Sequence, residues 1–356
     1  MDNNIKINID FPNRNIRTIV KRLLQAGLEA ANPTLAMKKI LSVEGSTLRV
    51  GEREYDLNTF DRIMCVGAGK ASGKMALALE HILGSRIFGG YLSIKDIPEY
   101  QLKNIQLFKA GHPIPNTRSV QASKQILSLA QSLTQRDLLF VLISGGASSL
   151  IASPASGLSL NDKKLTTSLL LRCGATIQDI NTVRKHLSSI KGGQLATSTP
   201  ATIITLVLSD VLGDDLTAIG SGPTIPDPTT FQDAQEVLRQ FHLLDHVPVA
   251  VKNHLEKGIH RHIPETPQAH AMNESRVYHQ LIGNNRLSVE GIIKQAKIEG
   301  MHSMIVTTHL EGEAREVGKI FGAIAKEIQA NAHPMPKPAC LVWGGEPTVT
   351  VKGTGK

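Results

Sequence analysis

Three aspartates, Asp210, Asp214 and Asp215, sit close together in LSDVLGDDLTAIGSGPT, residues 208–224, just past the apolar run Thr202–Leu208. No basic residue lies between them. Carboxylates grouped in this way suit a divalent cation, a substrate proton or bulk solvent. They could hold Mg2+ against nucleotide phosphates, and one could take the proton of an attacking hydroxyl. Capping of a helix around Leu216–Ile219 is the plainer use, and it suits Asp214 and Asp215 better than Asp210. The GSGPT that follows, with Gly222, offers further backbone N–H groups or simply a turn. Two other loops share this character. In VGAGKASGK, residues 66–74, Gly67 and Gly69 allow a tight turn, a helix N-terminus follows, and Lys70 adds a positive charge. It is not a Walker A loop, because Ala68 takes the place of the first glycine and Met75 that of the Ser/Thr. As a dinucleotide fingerprint it is incomplete, with Ser72 at the third glycine position. In SGGASSL, residues 144–150, Ser144, Gly145, Gly146 and Ser148 can cradle a phosphate through N–H and hydroxyl donors. Ordinary readings are a strand–helix turn with a solvated lysine for the first and a serine-capped turn for the second.

Cations gather elsewhere. TVRKHLSSIKGGQLA, residues 182–196, reads as a helix carrying Arg184, Lys185, His186 and Lys191 and stopping at Gly-Gly. Arg184, Lys185 and Lys191 suit a carboxylate or phosphate, or else a solvated basic face near a helix C-terminus. AGHPIPN, residues 110–116, has two prolines that fix a rigid loop and point His112 in a definite direction, where a structural role is favoured over a catalytic one.

The elements that must position these residues follow one rhythm: a short β-branched run, a Gly/Ser/Asp loop, then a helical pattern. Strands are expected at Asp61–Val66, Leu138–Ile143 and Thr202–Leu208, each feeding one of the three loops. In an open parallel sheet such loops lie along one edge, where ligands bind. Apolar residues at 16, 19, 20, 23, 24 and 28 trace an amphipathic helix, and Leu48–Val50 with Tyr55–Leu57 resembles a hairpin. The polar RHIPETPQAHAMNES, residues 261–275, marks a domain boundary, with domains expected at 1–262 and 263–356. Strand Val277–Ile282, helix Arg286–Glu299, strand Ser303–Val306, helix Glu313–Ala330 and strand Ala339–Trp343 then restart the rhythm. The 356 residues favour two α/β domains: a parallel-sheet N-terminal one and a smaller C-terminal one.

Composition narrows the function. Net charge is +8, yet the basic residues are scattered and aromatics make up only 4% of the chain. Nucleic-acid signatures are missing, and a surface that draws in small anions fits better. No apolar run is long enough to span a membrane, and MDNNIKINIDFPNRN has no secretory h-region. Cys65, Cys173 and Cys340 are isolated and flanked by apolar residues, as small buried hydrophobes in a reducing compartment would be. Cytoplasm is the natural location, and a homodimer is left open.

Together and in order, these segments resemble the glycerate 2-kinase (MOFRL) family. The matching stretches are VGAGKAS, GHPIPN, LISGGASSL, INTVRKHLSSIKGGQLA, LVLSDVLGDDLTAIGSGPT, EGEAREVGK at 311–319 and WGGEPTVTVKGTGK at 343–356. The resemblance implies a Rossmann-like N-terminal domain, a smaller α/β MOFRL-type C-terminal domain and an active site in the cleft between them. It implies ATP, Mg2+ and D-glycerate. Its essential loop lysine falls on Lys70, the acids of its SD-x-x-GD stretch on Asp210 and Asp214, and that of its GGE segment on Glu346. Some members carry the label hydroxypyruvate reductase. Asn116 stands where the family commonly has Asp, which is expected to weaken a local hydrogen bond or cap. Similar proteins continue past the position of Lys356 through a Gly-Gly-Arg-Asn-Gln-Glu-like segment whose arginine acts with the loop lysine, so the chain reads as truncated.

On this reading the nucleotide phosphates rest on backbone N–H groups of Gly67–Lys74 and Ser144–Ser149, and Lys70 touches the γ-phosphate. Asp210 or Asp214 holds Mg2+ or accepts the glycerate proton, and Arg184, Lys185 or Lys191 pairs with the carboxylate. The family inclines the product to 2-phosphoglycerate. The rivals are a nicotinamide-dependent hydroxypyruvate reductase and a non-catalytic sugar-phosphate-binding module.

Overall fold

A computed structural model describes residues 13–350 apart from 274. Its central feature is a six-stranded sheet built from β1 (Arg62–Ala68), β2 (Ile87–Ile94), β3 (Ile105–Lys109), β4 (Asp137–Ser144), β5 (Thr202–Leu208) and β6 (Val277–Gly283). The order is β3-β2-β1-β4-β5-β6, and the first five strands pair in parallel. That order is the doubly wound one, in which the chain reverses direction across the sheet between β1 and β4. β4 is buried along its whole length and β1 along nearly all of it. Parallel strands covered on both faces are continuous apolar runs for this reason.

The sheet is tightest at its centre. A Cβ placed on Gly67 would collide with the backbone of Leu142, and one on Gly69 would meet Ser144. Four helices matter to the site: α1 (Ser72–Leu83), α2 (Thr117–Gln131), α3 (Leu160–Arg172) and α4 (Ile177–His186). α1 buries Met75, Ala76, Ala78, Leu79 and Leu83. Its buried Glu80 accepts the N–H groups of Lys103 and Asn104 at 2.8 Å and of Ile105 at 3.2 Å. That carboxylate starts β3, a short strand that the hydrophobic periodicity does not single out.

Three expectations need correction. The segment at 182–196 is not one helix. α4 ends at His186, and a run of turns leads through Gly192 and Gly193, both at positive φ, into the short helix Gln194–Thr197. Hydrogen bonds from Gly192 N to Ser221 O and from Gly193 N to Gly222 O draw those turns onto the GSGPT loop. Asn116 does not weaken its cap. It forms a full capping box on α2, with Ser119 N donating to Asn116 Oδ1 at 3.1 Å and Asn116 N to Ser119 Oγ at 3.2 Å. An amide oxygen serves here as well as a carboxylate does. Finally, of the three cysteines only Cys65 is fully buried, and Cys173 is exposed.

The compact units are also bounded elsewhere than at 262/263. One spans Met37–Ile282; the other joins the residues before 37 to those from 283 onward. The polar stretch after His260 is tied into the larger unit. Glu265 accepts the N–H of Phe231, Asp227 N donates to Pro267 O, and Arg276 donates to the carbonyls of Thr199 and Ala201. Composition reads such a segment as a linker because its polar groups find partners only in the tertiary structure. β6 follows directly and lies beside β5 as the sixth strand. In the smaller unit, helix Arg14–Ala30 packs along helix Asn285–Ile298. A Cβ on Gly27 would press on Ile292, Ser288 Oγ donates to Gly27 O at 2.8 Å, and Arg22 pairs with Glu299 at 2.6 Å. Strands His302–Leu310 and Ala339–Gly345 pair in parallel in the same unit.

Gly67→Ala forces the two central strands apart. An expected loss of about 2–3 kcal/mol, typical of core overpacking, is measured by urea unfolding.

Candidate active site

The loops after β1, β3, β4 and β5 meet at the carboxyl edge of the sheet. Lys70 follows β1, and its N–H donates to Gly145 O at 2.9 Å. Ala71 N donates to the buried Ser144 Oγ at 3.0 Å, and Ser72 Oγ lies 3.2 Å from the same hydroxyl. Gly69 N reaches Ser93 O and Ser72 N reaches Gly69 O. The N–H groups of residues 69–72 are therefore all taken by the protein itself. Gly67 and Gly69 serve the approach of β1 to β4, and Ser144 fastens the first loop to the second. What the first loop leaves exposed is the Lys70 side chain.

That side chain points at the second loop. Around Gly146, at φ +84, a Cβ would meet His112 Nε2 at 2.7 Å and Lys70 Cε at 3.4 Å. Around Gly145 a Cβ would run into the carboxylate of Asp210. Lys70, His112 and Asp210 thus converge on one glycine pair, which stays free of side chains so that all three can approach. Burial first, then the charges of Lys70 and Lys95, lowers the His112 pKa from its usual value, against the pull of Asp210. Below that value His112 would add a second cation; at neutral pH its imidazole is uncharged and can accept or donate a proton.

Asp210 is exposed at the end of β5. Asp214, half-buried at φ +56, follows a turn in which its N–H donates to Val211 O. Asp215 accepts the N–H and hydroxyl of Thr217 at 2.9 and 2.8 Å, the local capping role. Among the described residues no group of three or more His, Cys, Asp or Glu side chains forms a metal cage. Asp210 and Asp214 are hard oxygen donors of the kind Mg2+ takes in ones and twos, the rest of its shell coming from phosphates and water. The donor set therefore fits that ion.

The other expected site residues have different surroundings. Gly222, at φ +57, donates its N–H to Ile219 O and gives its carbonyl to Gly193. Lys185 is buried in an ion pair with Asp227 at 3.2 Å. Lys191 is 2% exposed and donates to Ser148 O at 2.9 Å, Ser148 Oγ at 3.1 Å and Gly220 O at 3.3 Å. Burial, reinforced by Lys163 and Arg184, pushes the Lys191 pKa well down. Arg184, half-buried, has no ion pair or hydrogen bond among the described residues, and burial lowers its pKa as well. Glu346 belongs to the smaller unit, where its N–H donates to Leu310 O at 2.9 Å.

Sequence reasoning undervalued His112 and missed Lys163 and Asn181. His112 could have been found from its place just past a strand, in a loop stiffened by prolines. Lys163 repeats with Thr166 and Leu170 on the buried face of α3, an unusual place for a lysine. Asn181 sits three residues before Arg184 on the same face of α4.

Known proteins resemble this chain over most of its length. Residues 19–256 match a family described as Domain of unknown function (DUF4147). A protein of Pyrococcus horikoshii named glycerate 2-kinase is 41% identical over 340 residues, 96% of this chain and 76% of that protein. The chain belongs to the glycerate kinase family. A Thermotoga maritima D-glycerate 2-kinase is 36% identical across 97% of this chain and 77% of its own length. A crystal structure of glycerate kinase from Thermotoga maritima superposes with a TM-score of 0.81 at 35% identity, covering 97% of this chain and 77% of that one. Family membership thus falls on a chain whose Lys70, His112 and Asp210 share one small space.

The two neighbouring cations of α4 should respond oppositely to truncation. Lys185→Met leaves the Asp227 carboxylate buried without its counter-charge and is expected to cost about 3–5 kcal/mol. Arg184→Met removes a charge that is unpaired among the described residues and repels its neighbours, so stability should hold or rise, by no more than about 1 kcal/mol. Chemical denaturation of both variants checks this.

Proposed function

We propose that this chain is an ATP-dependent kinase that phosphorylates D-glycerate to 2-phosphoglycerate. The observation that carries the reading is the convergence of Lys70, His112 and Asp210 on the Gly145–Gly146 turn. Phosphoryl transfer asks for little covalent help. It needs the hydroxyl in line with the γ-phosphorus and positive charge where oxygens become more negative. Lys70 supplies that charge to the γ-phosphate. Asp210 accepts the hydroxyl proton as the glycerate oxygen bonds to phosphorus and the bond to the β,γ-bridging oxygen breaks, releasing ADP. Mg2+, held by Asp210 or Asp214 together with phosphate oxygens, neutralises phosphate charge when bound. Arg184, the one of the three expected cations with no hydrogen bond or ion pair among the described residues, pairs with the glycerate carboxylate, whereas Lys185 is neutralised by Asp227. Three cysteines without disulfides suit a cytoplasmic enzyme.

The occupied N–H groups of residues 69–72 shift the phosphate contacts away from the first loop, toward Lys70 and the Ser144–Ser149 turn. They also count against a nicotinamide-dependent reductase, whose pyrophosphate would need that first turn open. A plain sugar-phosphate binder would have no use for Asp210 beside the lysine.

Phosphorus NMR of the purified chain with Mg2+, ATP and D-glycerate should show ADP growing together with a 2-phosphoglycerate resonance. Lys70→Ala should lower kcat by about a hundredfold or more. Its unfolding free energy should stay within about 0.5 kcal/mol of the parent's, because the side chain is exposed. Retention of most of the activity by this variant would remove Lys70 from the mechanism.

A further inference from the structure

Behind the Ser148 turn lies a group of positive side chains with no anion among the described residues to balance them. Lys163 is 8% exposed and Lys191 2%, and Arg184 completes the trio. Lys163 Nζ donates to Leu187 O at 2.6 Å, at the C-terminal end of α4, where the helix dipole favours a cation. None of the three makes an ion pair with a described residue. Repulsion among them is direct: Arg184 acts on Lys163, and both act on Lys191. Buried charges left this way are costly, and proteins usually neutralise them.

A directed chain of hydrogen bonds starts from the same place. Lys191 Nζ donates to Ser148 Oγ, Ser148 pairs with Ser221 Oγ at 3.0 Å, and Ser221 Oγ donates to Asn181 Oδ1 at 2.9 Å. In this arrangement the Asn181 amide turns its oxygen to Ser221 and leaves Nδ2 at the end of the chain. That nitrogen is buried and has no acceptor, although Asn181 as a whole is only 3% exposed. Asn181 and Arg184, three residues apart on α4, share a face. An unfilled buried donor next to unbalanced cations is what a bound anion would satisfy, and a carboxylate can accept from a guanidinium and an amide together.

We propose that Lys163 and Asn181 complete, with Arg184 and Lys191, a buried subsite for the carboxylate of the substrate. This rests on the glycerate reading for the identity of the anion, while the subsite itself rests on the geometry above. Binding has a proton signature. Burial and Arg184 bring the Lys163 pKa down to about 7. The groups facing it are Arg184, Lys191 and His254, so no carboxylate opposes that shift in the free protein. A bound carboxylate raises it again. Above about pH 7, binding therefore takes up a proton and affinity falls as pH rises; below it Lys163 is already charged and contributes no pH dependence.

The test uses the full chain. Asn181→Asp keeps the acceptor for Ser221 and places a carboxylate among the cations permanently, so the variant should fold and melt at a higher temperature than the parent. Calorimetric titration with D-glycerate, without nucleotide, should show binding to the parent and at least tenfold weaker binding to Asn181→Asp. KM for ATP should stay within about twofold. Parent affinity should fall between about pH 7 and 9, and Lys163→Met should make that fall shallower. Equal D-glycerate affinity in parent and Asn181→Asp overturns the subsite. So does a rise in KM for ATP in place of glycerate, which would hand these cations to a nucleotide phosphate. A parent profile flat from about pH 6 to 9 removes Lys163 from it. The two readings fail separately. Phosphoryl transfer with unaltered binding in Asn181→Asp defeats the subsite alone; binding lost in Asn181→Asp from a parent that never transfers phosphate defeats the kinase alone.

Discussion

The approach of β1 to β4 without side chains between them at Gly67 and Gly69 is the constraint on which the site depends. It brings Ser144 Oγ within reach of Ala71 N and Ser72 Oγ, and Lys70 N within reach of Gly145 O. Two loops from neighbouring strands become one rigid piece, with the backbone donors of the first taken up by the protein itself. Rigidity at this point places a long, exposed lysine near a glycine pair, with no hydrogen bond to its tip among the described residues. Asp210, from the next strand outward, then needs only the missing side chain at Gly145 to come alongside. Preorganisation of this kind is set in the backbone, so the chemical groups enter it ready-oriented.

Electrostatics divides the cations around that piece into two kinds. Lys185 is neutralised by Asp227, and its role is architectural. Lys191 is solvated by a hydroxyl and two carbonyls, a partial answer to burial that carries no negative charge. Arg184 has no such answer, and Lys163 has a single carbonyl. Positive potential therefore accumulates around Lys163, Arg184 and Lys191, while Lys70 and Asp210 meet at the Gly145–Gly146 turn. A substrate with an anionic end and a hydroxyl end meets a surface already polarised in that sense.

Much of the larger unit was legible in the sequence because its strands are buried on both faces and read as continuous apolar runs. Thr202–Leu208 matches its strand in full, and Asp61–Val66 and Leu138–Ile143 fall within a few residues of theirs. The rest needed partners distant in the chain. Strand β3 owes its start to Glu80, and the polar stretch after His260 owes its order to Asp227, Thr199 and Ala201. At the candidate site, spacing singled out Lys70 and Asp210, which the fold brings to one glycine pair, but it read Gly67 and Gly69 as a phosphate loop when their first duty is sheet packing. Nor could spacing separate Arg184 from Lys185, because the difference lies in Asp227, far along the chain.

The smaller unit is assembled from both ends of the described chain, and this has a consequence for how the protein is made. Helix Arg14–Ala30 carries the apolar face that packs on helix Asn285–Ile298, which the ribosome delivers only after the whole of the larger unit. At about 5–20 residues per second, the early helix waits some tens of seconds for its partner. The six-stranded unit can fold meanwhile, but the waiting face stays exposed to chaperones and to neighbouring nascent chains. Translation speed sets how long that face waits for its partner.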